Sequence, residues 1–317
     1  MNSANTLYLV IPCYNEEEAL PETVRRLDEK MRGLMAAGRI SESSRILMVD
    51  DGSRDRTWEM IEEYHRQDPL FSGVKLSRNR GHQNALLAGL TAAKDYADMM
   101  ISMDADLQDD IDAIDGFLDH YEQGCQIVYG VRSDRSTDTA FKRTTANLFY
   151  RFMTLMGVET IDNHADYRLM SRRAVEELLS FKEVNLFLRG MVPLVGFKTA
   201  VVTYKRGERL AGESKYPLSK MLAFAINGIT SFSVRPIRFI TGLGVLIFIA
   251  SILGLAWLLG LKLAGHTVEG WTTLMGSIWL LGGIQLLCMG VIGEYIGKIY
   301  METKARPPFV IERLLNR

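Results

Sequence analysis

The apolar run Met99-Met100-Ile101-Ser102-Met103 ends on Asp104-Ala105-Asp106, which is followed by Leu107-Gln108-Asp109. Two carboxylates closing a buried strand cannot both ionise cheaply unless a cation lies between them, and hard oxygen ligands of this kind suit Mg²⁺ or Mn²⁺. The pair reads as a site for a metal that carries a diphosphate; the alternative is two solvated loop acids. Position favours the first, because ligands in open α/β sheets bind beyond the carboxyl ends of the strands.

Two further segments must help to position such a ligand. Val10-Ile11-Pro12-Cys13-Tyr14-Asn15-Glu16-Glu17 is a β-branched run closed by proline and turn residues, with a helical pattern after it. Ile46-Leu47-Met48-Val49-Asp50-Asp51-Gly52-Ser53-Arg54-Asp55 is a second strand that ends in acids, a glycine turn and a candidate helix cap. Three strands thus deliver polar residues to one edge, as a nucleotide site requires. Together the segments VIPCYNE, VDDGSRDRT, RNRGHQNALLAGL, DADLQD and HADYRLMSRR resemble the inverting family 2 glycosyltransferases with a GT-A fold. Within that family the chain is most similar to the polyprenyl-phosphate glycosyltransferases, such as bactoprenol glucosyltransferases and dolichol-phosphate mannose synthases. The resemblance runs along nearly the whole chain.

The resemblance implies roles residue by residue. Asp104, Asp106 and Gln108 match metal-binding positions, with Asp104 also at the donor; Gln108 is equally readable as a turn residue. Pro12, Tyr14, Glu16 and Asp51 match positions that cradle the nucleotide, while Asp50 is read as a cap of the following turn. Asp166, in His164-Ala165-Asp166-Tyr167-Arg168, matches the catalytic carboxylate. A phosphate monoester is already largely anionic near neutrality, so two roles for Asp166 stay open: a base, or a group that positions the acceptor. Arg132, Arg135, Arg206, Arg209 and Lys215 are the candidate cations. The stretch from Arg206 through Ser214 to Tyr216 resembles a segment that closes over the diphosphate and meets a lipid phosphate, where arginine makes paired contacts and lysine supplies a point charge. A solvated basic loop is the alternative. Arg80 and His82 fall at a helix start suited to anions, although the family often has phenylalanine in place of Arg80.

The second half of the chain reads as two membrane spans. Phe239 to Leu261 is 23 residues without a charge and Gly270 to Gly293 is 24, each reaching about 35 Å as helix against a hydrocarbon core of roughly 30 Å. Lys215, Lys220, Arg235 and Arg238 precede the first span and Lys298, Lys304, Arg306 and Arg313 follow the second, with only Lys262 between them. The positive-inside rule then expects an inner (cytoplasmic) membrane protein with two spans, the catalytic domain and both termini being cytoplasmic. Residues 214–234 suit helices lying in the membrane interface. The short run Leu7–Ile11 lacks the basic flank and length of a secretion signal. Cys13, Cys125 and Cys288 have no pairing or zinc spacing, as in a reducing cytosol.

A mean hydropathy near zero and a net charge of −1 average over two unlike parts and describe neither. Strands are expected near 6–11, 45–49, 73–77, 98–103, 125–130 and 198–204, and helices near 16–36, 55–66, 82–95, 110–123, 140–156 and 171–180. That alternation predicts an α/β, mostly parallel sheet covered on both faces; the resemblance implies that it is the Rossmann-like sheet of a GT-A domain, and the apolar second half adds interfacial helices and two transmembrane helices. The expected divisions are 1–210 catalytic, 211–235 juxtamembrane, 236–297 transmembrane and 298–317 a cytoplasmic tail. The expected activity is inverting transfer of one sugar from a nucleotide-sugar donor, UDP-glucose or UDP-GlcNAc, to undecaprenyl phosphate for cell-envelope glycan modification, with GDP-mannose the alternative donor. Nucleic acid is not an expected partner. A processive synthase would need more spans and a Q-x-x-R-W segment, and neither occurs; a noncatalytic nucleotide-binding scaffold is the alternative of another class. Closely spaced glycines from Gly276 to Gly297 predict a homo-oligomer built through the membrane segment, and the family resemblance implies that it is a tetramer. Their alternative use is to pack the two spans of one chain together.

Overall fold

The computed structural model describes residues 4–133, 164–183, 188–205, 235–264 and 270–316. These fall into two compact units, a sheet with its covering helices and a pair of long helices. The sheet unit begins with β1 (Leu7–Cys13), α1 (Leu20–Ala36), β2 (Arg45–Asp50), α2 (Thr57–Gln67), β3 (Phe71–Leu76), α3 (His82–Ala93), β4 (Met99–Ser102), α4 (Ala113–Glu122) and β5 (Ile127–Arg132). It continues with β6 (His164–Ser171), α5 (Arg172–Ser180), α6 (Leu188–Leu194) and β7 (Thr199–Tyr204). After the long helices α7 (Arg235–Leu263) and α8 (Trp271–Thr303), β8 (Ile311–Leu315) rejoins it.

The strand order is β7-β5-β6-β4-β1-β2-β3-β8. β4, β1, β2 and β3 are parallel neighbours and β5 is parallel to β7, while β6 and β8 run the other way. Every residue of β1 and β4 is buried, which is why those strands read as continuous apolar runs without alternation. α1 starts with Pro21 in its first turn and turns Leu20, Val24, Leu27, Met31 and Leu34 inward, the spacing of one helix face. Thus the sheet has the mostly parallel GT-A-like character expected of it.

Three elements differ from expectation. Residues 164–171, where no strand is expected from the sequence, form the antiparallel strand β6 inside the sheet, paired to β4 through Ser102↔Arg168 and to β5 through Val128↔Leu169. Both faces of this strand are covered, so Tyr167, Arg168, Leu169 and Met170 are all buried and no polar–apolar alternation marks it. Tyr167 packs edge-on against Phe117 and Tyr204, with ring centroids 4.7 and 5.3 Å away. The last residues, read as a tail, supply β8: Gly73 pairs with Leu315, and a Cβ at Gly73 would lie 2.7 Å from Ile61 and 3.2 Å from Leu315. Arg313–Glu62 at 2.7 Å fastens this edge. The short α6 was not expected either.

α7 and α8 are longer than the expected spans, and α8 continues past Gly293 to Thr303. Arg235–Gly254 and Leu280–Thr303 are long and apolar enough to cross a membrane. The expected helix at 140–156 and the interfacial helices at 214–234 lie outside the described residues.

Candidate active site

The loop after β4 carries the aspartate pair. Thr23 of α1 donates its hydroxyl to the Ala105 carbonyl at 2.7 Å, and Asp106 Oδ1 accepts from the Gln108 amide at 3.2 Å, closing a turn in which Leu107 adopts φ 52°. Gln108 is buried and lines a groove along this loop with Lys30 and Asp112. Asp104 is partly exposed at the strand end, 3.5 Å from His82 Nε2. Burial pushes its carboxyl up, Asp109, Asp166 and Asp106 add to that push, and His82 opposes it. Among the described residues no three His, Cys, Asp or Glu side chains converge to hold a cation alone. The donor set still fits Mg²⁺ or Mn²⁺: two carboxylates in a locally acidic site, with a diphosphate and waters to complete an oxygen shell.

Asp166 lies at the same place. The Ser102 hydroxyl donates to its carbonyl at 2.5 Å, and His82 Nε2 is 3.9 Å from Oδ2. Two guanidiniums grip the carboxylate: Arg168 Nη2 donates to Oδ1 at 2.5 Å, and Arg189 reaches Oδ2 through Nη2 at 3.2 Å and Oδ1 through Nε at 3.5 Å. Burial alone would raise this carboxyl, but Arg168, Arg189 and His82 outweigh it and hold it well below the usual carboxylate range. Asp166 is therefore a fixed anion and a weak base. Arg189 was missed in the sequence, where it stands alone between Leu188 and Gly190 far from any motif. Arg168 was visible only as a neighbour of Asp166.

The strand ends of β1 and β2 form the adjoining edge. Asp50 accepts from the Ser53 amide at 3.1 Å and so caps the turn, while its buried Oδ2 has no hydrogen-bond partner and burial pushes its carboxyl up. Asp51 is buried too, and its two oxygens accept from the amides of Arg80 at 2.7 Å and Gly81 at 2.8 Å. It clamps the loop that leads to His82. Gly52 permits that approach: its φ is +68°, and a Cβ there would meet the Asn79 nitrogen at 2.6 Å. Across from it, Glu16 donates its amide to Thr57 Oγ1 at 2.9 Å and Asn15 donates its amide to Ser53 Oγ at 3.0 Å. Pro12 is buried at the end of β1, and Tyr14 is exposed beside this clamp.

Arg132, at the end of β5, donates to Asp109 Oδ1 at 3.3 Å and lies 3.4 Å from the Tyr204 hydroxyl, which itself donates to Asp109 at 2.5 Å. Burial pushes Tyr204 up and the charge of Asp109 adds to it. This network ties the ends of β5 and β7 to the aspartate loop, and neither Asp109 nor Tyr204 was singled out from the sequence. Arg135, Arg206, Arg209, Ser214 and Lys215 lie outside the described residues.

Comparison with known proteins identifies the family. Residues 8–179 match the family model for glycosyl transferase family 2, and residues 235–299 match that of the GtrB C-terminal hairpin. The glycosyltransferase YkoT of Bacillus subtilis is 55% identical over 311 residues, 98% of this chain and 92% of that protein. The prophage bactoprenol glucosyl transferase homolog of Escherichia coli is 40% identical, covering 96% of this chain and 98% of its own. A solved mannosyltransferase from Pyrobaculum calidifontis, in complex with GDP-Man and Mn²⁺, is 15% identical with a TM-score of 0.46 over 96% of this chain and 86% of that one. With the family model spanning the sheet unit through α5 and relatives aligned along nearly all of its length, the chain belongs to glycosyl transferase family 2.

Proposed function

We propose that the protein transfers a single sugar, with inversion, from a UDP-sugar to the phosphate of a polyprenyl phosphate at the cytoplasmic face of the membrane. The observation that carries this reading is Asp166, gripped by Arg168 and Arg189 and sharing His82 with Asp104. An alcohol acceptor would need a base at this position, whereas a phosphate oxyanion attacks without giving up a proton. The relatives named bactoprenol glucosyl transferases point to the same acceptor class.

In the reaction an acceptor phosphate oxygen forms a bond to the anomeric carbon as the bond from that carbon to the donor diphosphate breaks on the opposite face. Asp104 and Asp106, with Gln108 closing their turn, would hold the divalent cation. When bound, that cation supplies positive charge to the departing diphosphate. Pro12, Tyr14 and Glu16 cradle the nucleotide, and Asp51 serves it by fixing the Arg80–Gly81 backbone. Arg132, Arg206, Arg209, Ser214 and Lys215 serve the diphosphate and the lipid phosphate, and Asp166 orients the acceptor.

Membrane attachment through α7 and α8 is in keeping with a lipid acceptor. The residues before and after this helix pair belong to one folded unit, so a hairpin that crosses twice returns the chain to the side it left, in keeping with the distribution of Lys and Arg. Homo-oligomerisation through the membrane segment is supported by the α8 glycines, and the family resemblance makes a tetramer the proposed form. Among the described residues a Cβ at Gly282, Gly283, Gly290, Gly293 or Gly297 would meet nothing within 4 Å, as a face used by a helix of another copy would. A panel of UDP-glucose, UDP-GlcNAc and GDP-mannose against the purified protein and a short polyprenyl phosphate, read by mass spectrometry, tests the reading. A sugar phospholipid from one UDP-sugar is expected; no product from any donor refutes the assignment.

A further inference from the structure

Arg189 is held in place by the site's own residues. The amide of its neighbour Leu188 donates to Gln83 Oε1 at 3.1 Å, and the Leu188 carbonyl faces Arg168 Nη1 at 3.5 Å. The start of α6 is thereby tied to the helix that carries His82 and to the strand that carries Asp166. Arg168 is 2% exposed at its side chain, whereas Arg189 is 36% exposed, so of the two guanidiniums on Asp166 that of Arg189 is the one that reaches solvent. Two guanidiniums meet on the one carboxylate of Asp166, an arrangement suited to receiving an anionic acceptor beside it.

We propose that Arg189 is a positioning residue that selects a phosphate acceptor over an alcohol, by clamping Asp166 and by placing its exposed guanidinium where the acceptor phosphate arrives. The inference rests on the phosphate-acceptor reading above. Its consequence is a split between substrates: Arg189 governs the acceptor, and the donor is bound by groups on other strand ends.

The test compares the full-length wild type, Arg189→Lys and Arg189→Gln in lipid nanodiscs, with a short polyprenyl phosphate and the matching polyprenol as acceptors. UDP binding is measured alongside by calorimetry. For Arg189→Gln, kcat/KM for the polyprenyl phosphate is expected to fall about a hundredfold, the scale of losing one charge-assisted contact at a reacting oxyanion, with UDP affinity and donor KM within about threefold of wild type. Arg189→Lys should recover part of that loss, because it keeps the charge and loses the fork. Wild-type acceptor kinetics in Arg189→Gln, or donor and acceptor parameters that worsen together in both variants, overturn the inference. Should Arg189→Gln fail to bind UDP at all, the lysine variant decides: loss confined to the acceptor supports the proposal, and equal loss on both substrates overturns it. Transfer to polyprenyl phosphate by a wild type that Arg189→Gln matches would overturn this inference alone. Transfer by the wild type to the polyprenol in preference overturns the function it rests on as well.

Discussion

Replacing Asp166 by asparagine should damage folding and chemistry together, and the two can be separated. Arg168 has a side chain only 2% exposed; it donates to Asp166 at 2.5 Å and more weakly to Leu188 O at 3.5 Å, and its Nε is buried without a hydrogen-bond partner. Removing the carboxylate leaves a buried guanidinium without its compensating charge, a loss of about 3–5 kcal/mol when a buried pair is broken from one side. The asparagine carbonyl can still accept one bond, worth about 1 kcal/mol, so the expected destabilisation is about 2–4 kcal/mol. In a unit of this size each kcal/mol moves the midpoint by roughly 2–4 °C, which predicts a drop of about 4–16 °C in thermal unfolding of the full chain in detergent.

The pH dependence follows from the sign of the shift. Asp166 is held below its unfolded value, so its stabilisation is fully present above an unfolded carboxyl pKa near 3.9 and is lost as pH falls from there through the folded value. The gap between wild type and Asp166→Asn should therefore be flat from about pH 5 to 8 and close at more acid pH. At a temperature where both are folded, kcat should fall at least about a hundredfold with UDP affinity within about threefold. A midpoint within 2 °C of wild type, or a gap that widens in acid, would show that the Arg168–Asp166 pair does not carry this energy; loss of UDP binding in step with turnover would put Asp166 in the donor site.

The aspartate pair predicts a metal requirement: Asp104→Asn or Asp106→Asn should cut turnover at least about a hundredfold, EDTA should abolish transfer, and Mg²⁺ or Mn²⁺ should restore it. Full activity in EDTA would end that assignment. Gly52→Ala forces a Cβ to 2.6 Å from the Asn79 nitrogen at φ +68°, so it should cost about 1–3 kcal/mol and weaken UDP binding by loosening the Asp51 clamp, as unfolding and calorimetry would read; a variant with wild-type values of both would refute the clamp. Gly293→Leu should weaken a discrete oligomer measured by native mass in mild detergent, and a strictly monomeric, fully active wild type would remove the oligomer from the account.

What could be seen in the sequence was what local chemistry marks. The parallel strands β1, β2 and β4 announce themselves by apolar runs that lead into Pro12, Asp50-Asp51 and Asp104, because burial on both faces removes the alternation of polar positions. β6 hid because Asp166 and Arg168 sit inside it: a buried ion pair is apolar in sum but polar residue by residue, so composition argues for a loop. β8 hid because an edge strand with exposed Glu312 and Arg313 looks like a solvated tail until Gly73 and Ile61 offer it a surface. Asp51 looked like a ligand-binding acid, yet its partners are the amides of Arg80 and Gly81, which lie 29 and 30 residues on and which side-chain identities do not reveal. Arg189 carried no local mark at all, since its meaning comes from Gln83 and Arg168 holding α6 in place.

The direction of β6 explains why the site can exist. A parallel strand delivers its last residues to the ligand edge, so the aspartates that follow β4 arrive there by leaving the sheet. An antiparallel strand delivers its first residues to the same edge, and the register Ser102↔Arg168 sets Asp166, near the start of β6, level with the exit of β4. The Ser102 hydroxyl, bonded to the Asp166 carbonyl, locks that register where the two chemistries meet. A parallel strand in this position would have carried Asp166 to the opposite end of the sheet, away from Asp104 and His82. Reversal of one central strand thus brings a carboxylate from a distant part of the chain to the metal loop, and the following residue pair, Tyr167 in the aromatic cluster and Arg168 on Asp166, anchors it there on both faces of the sheet.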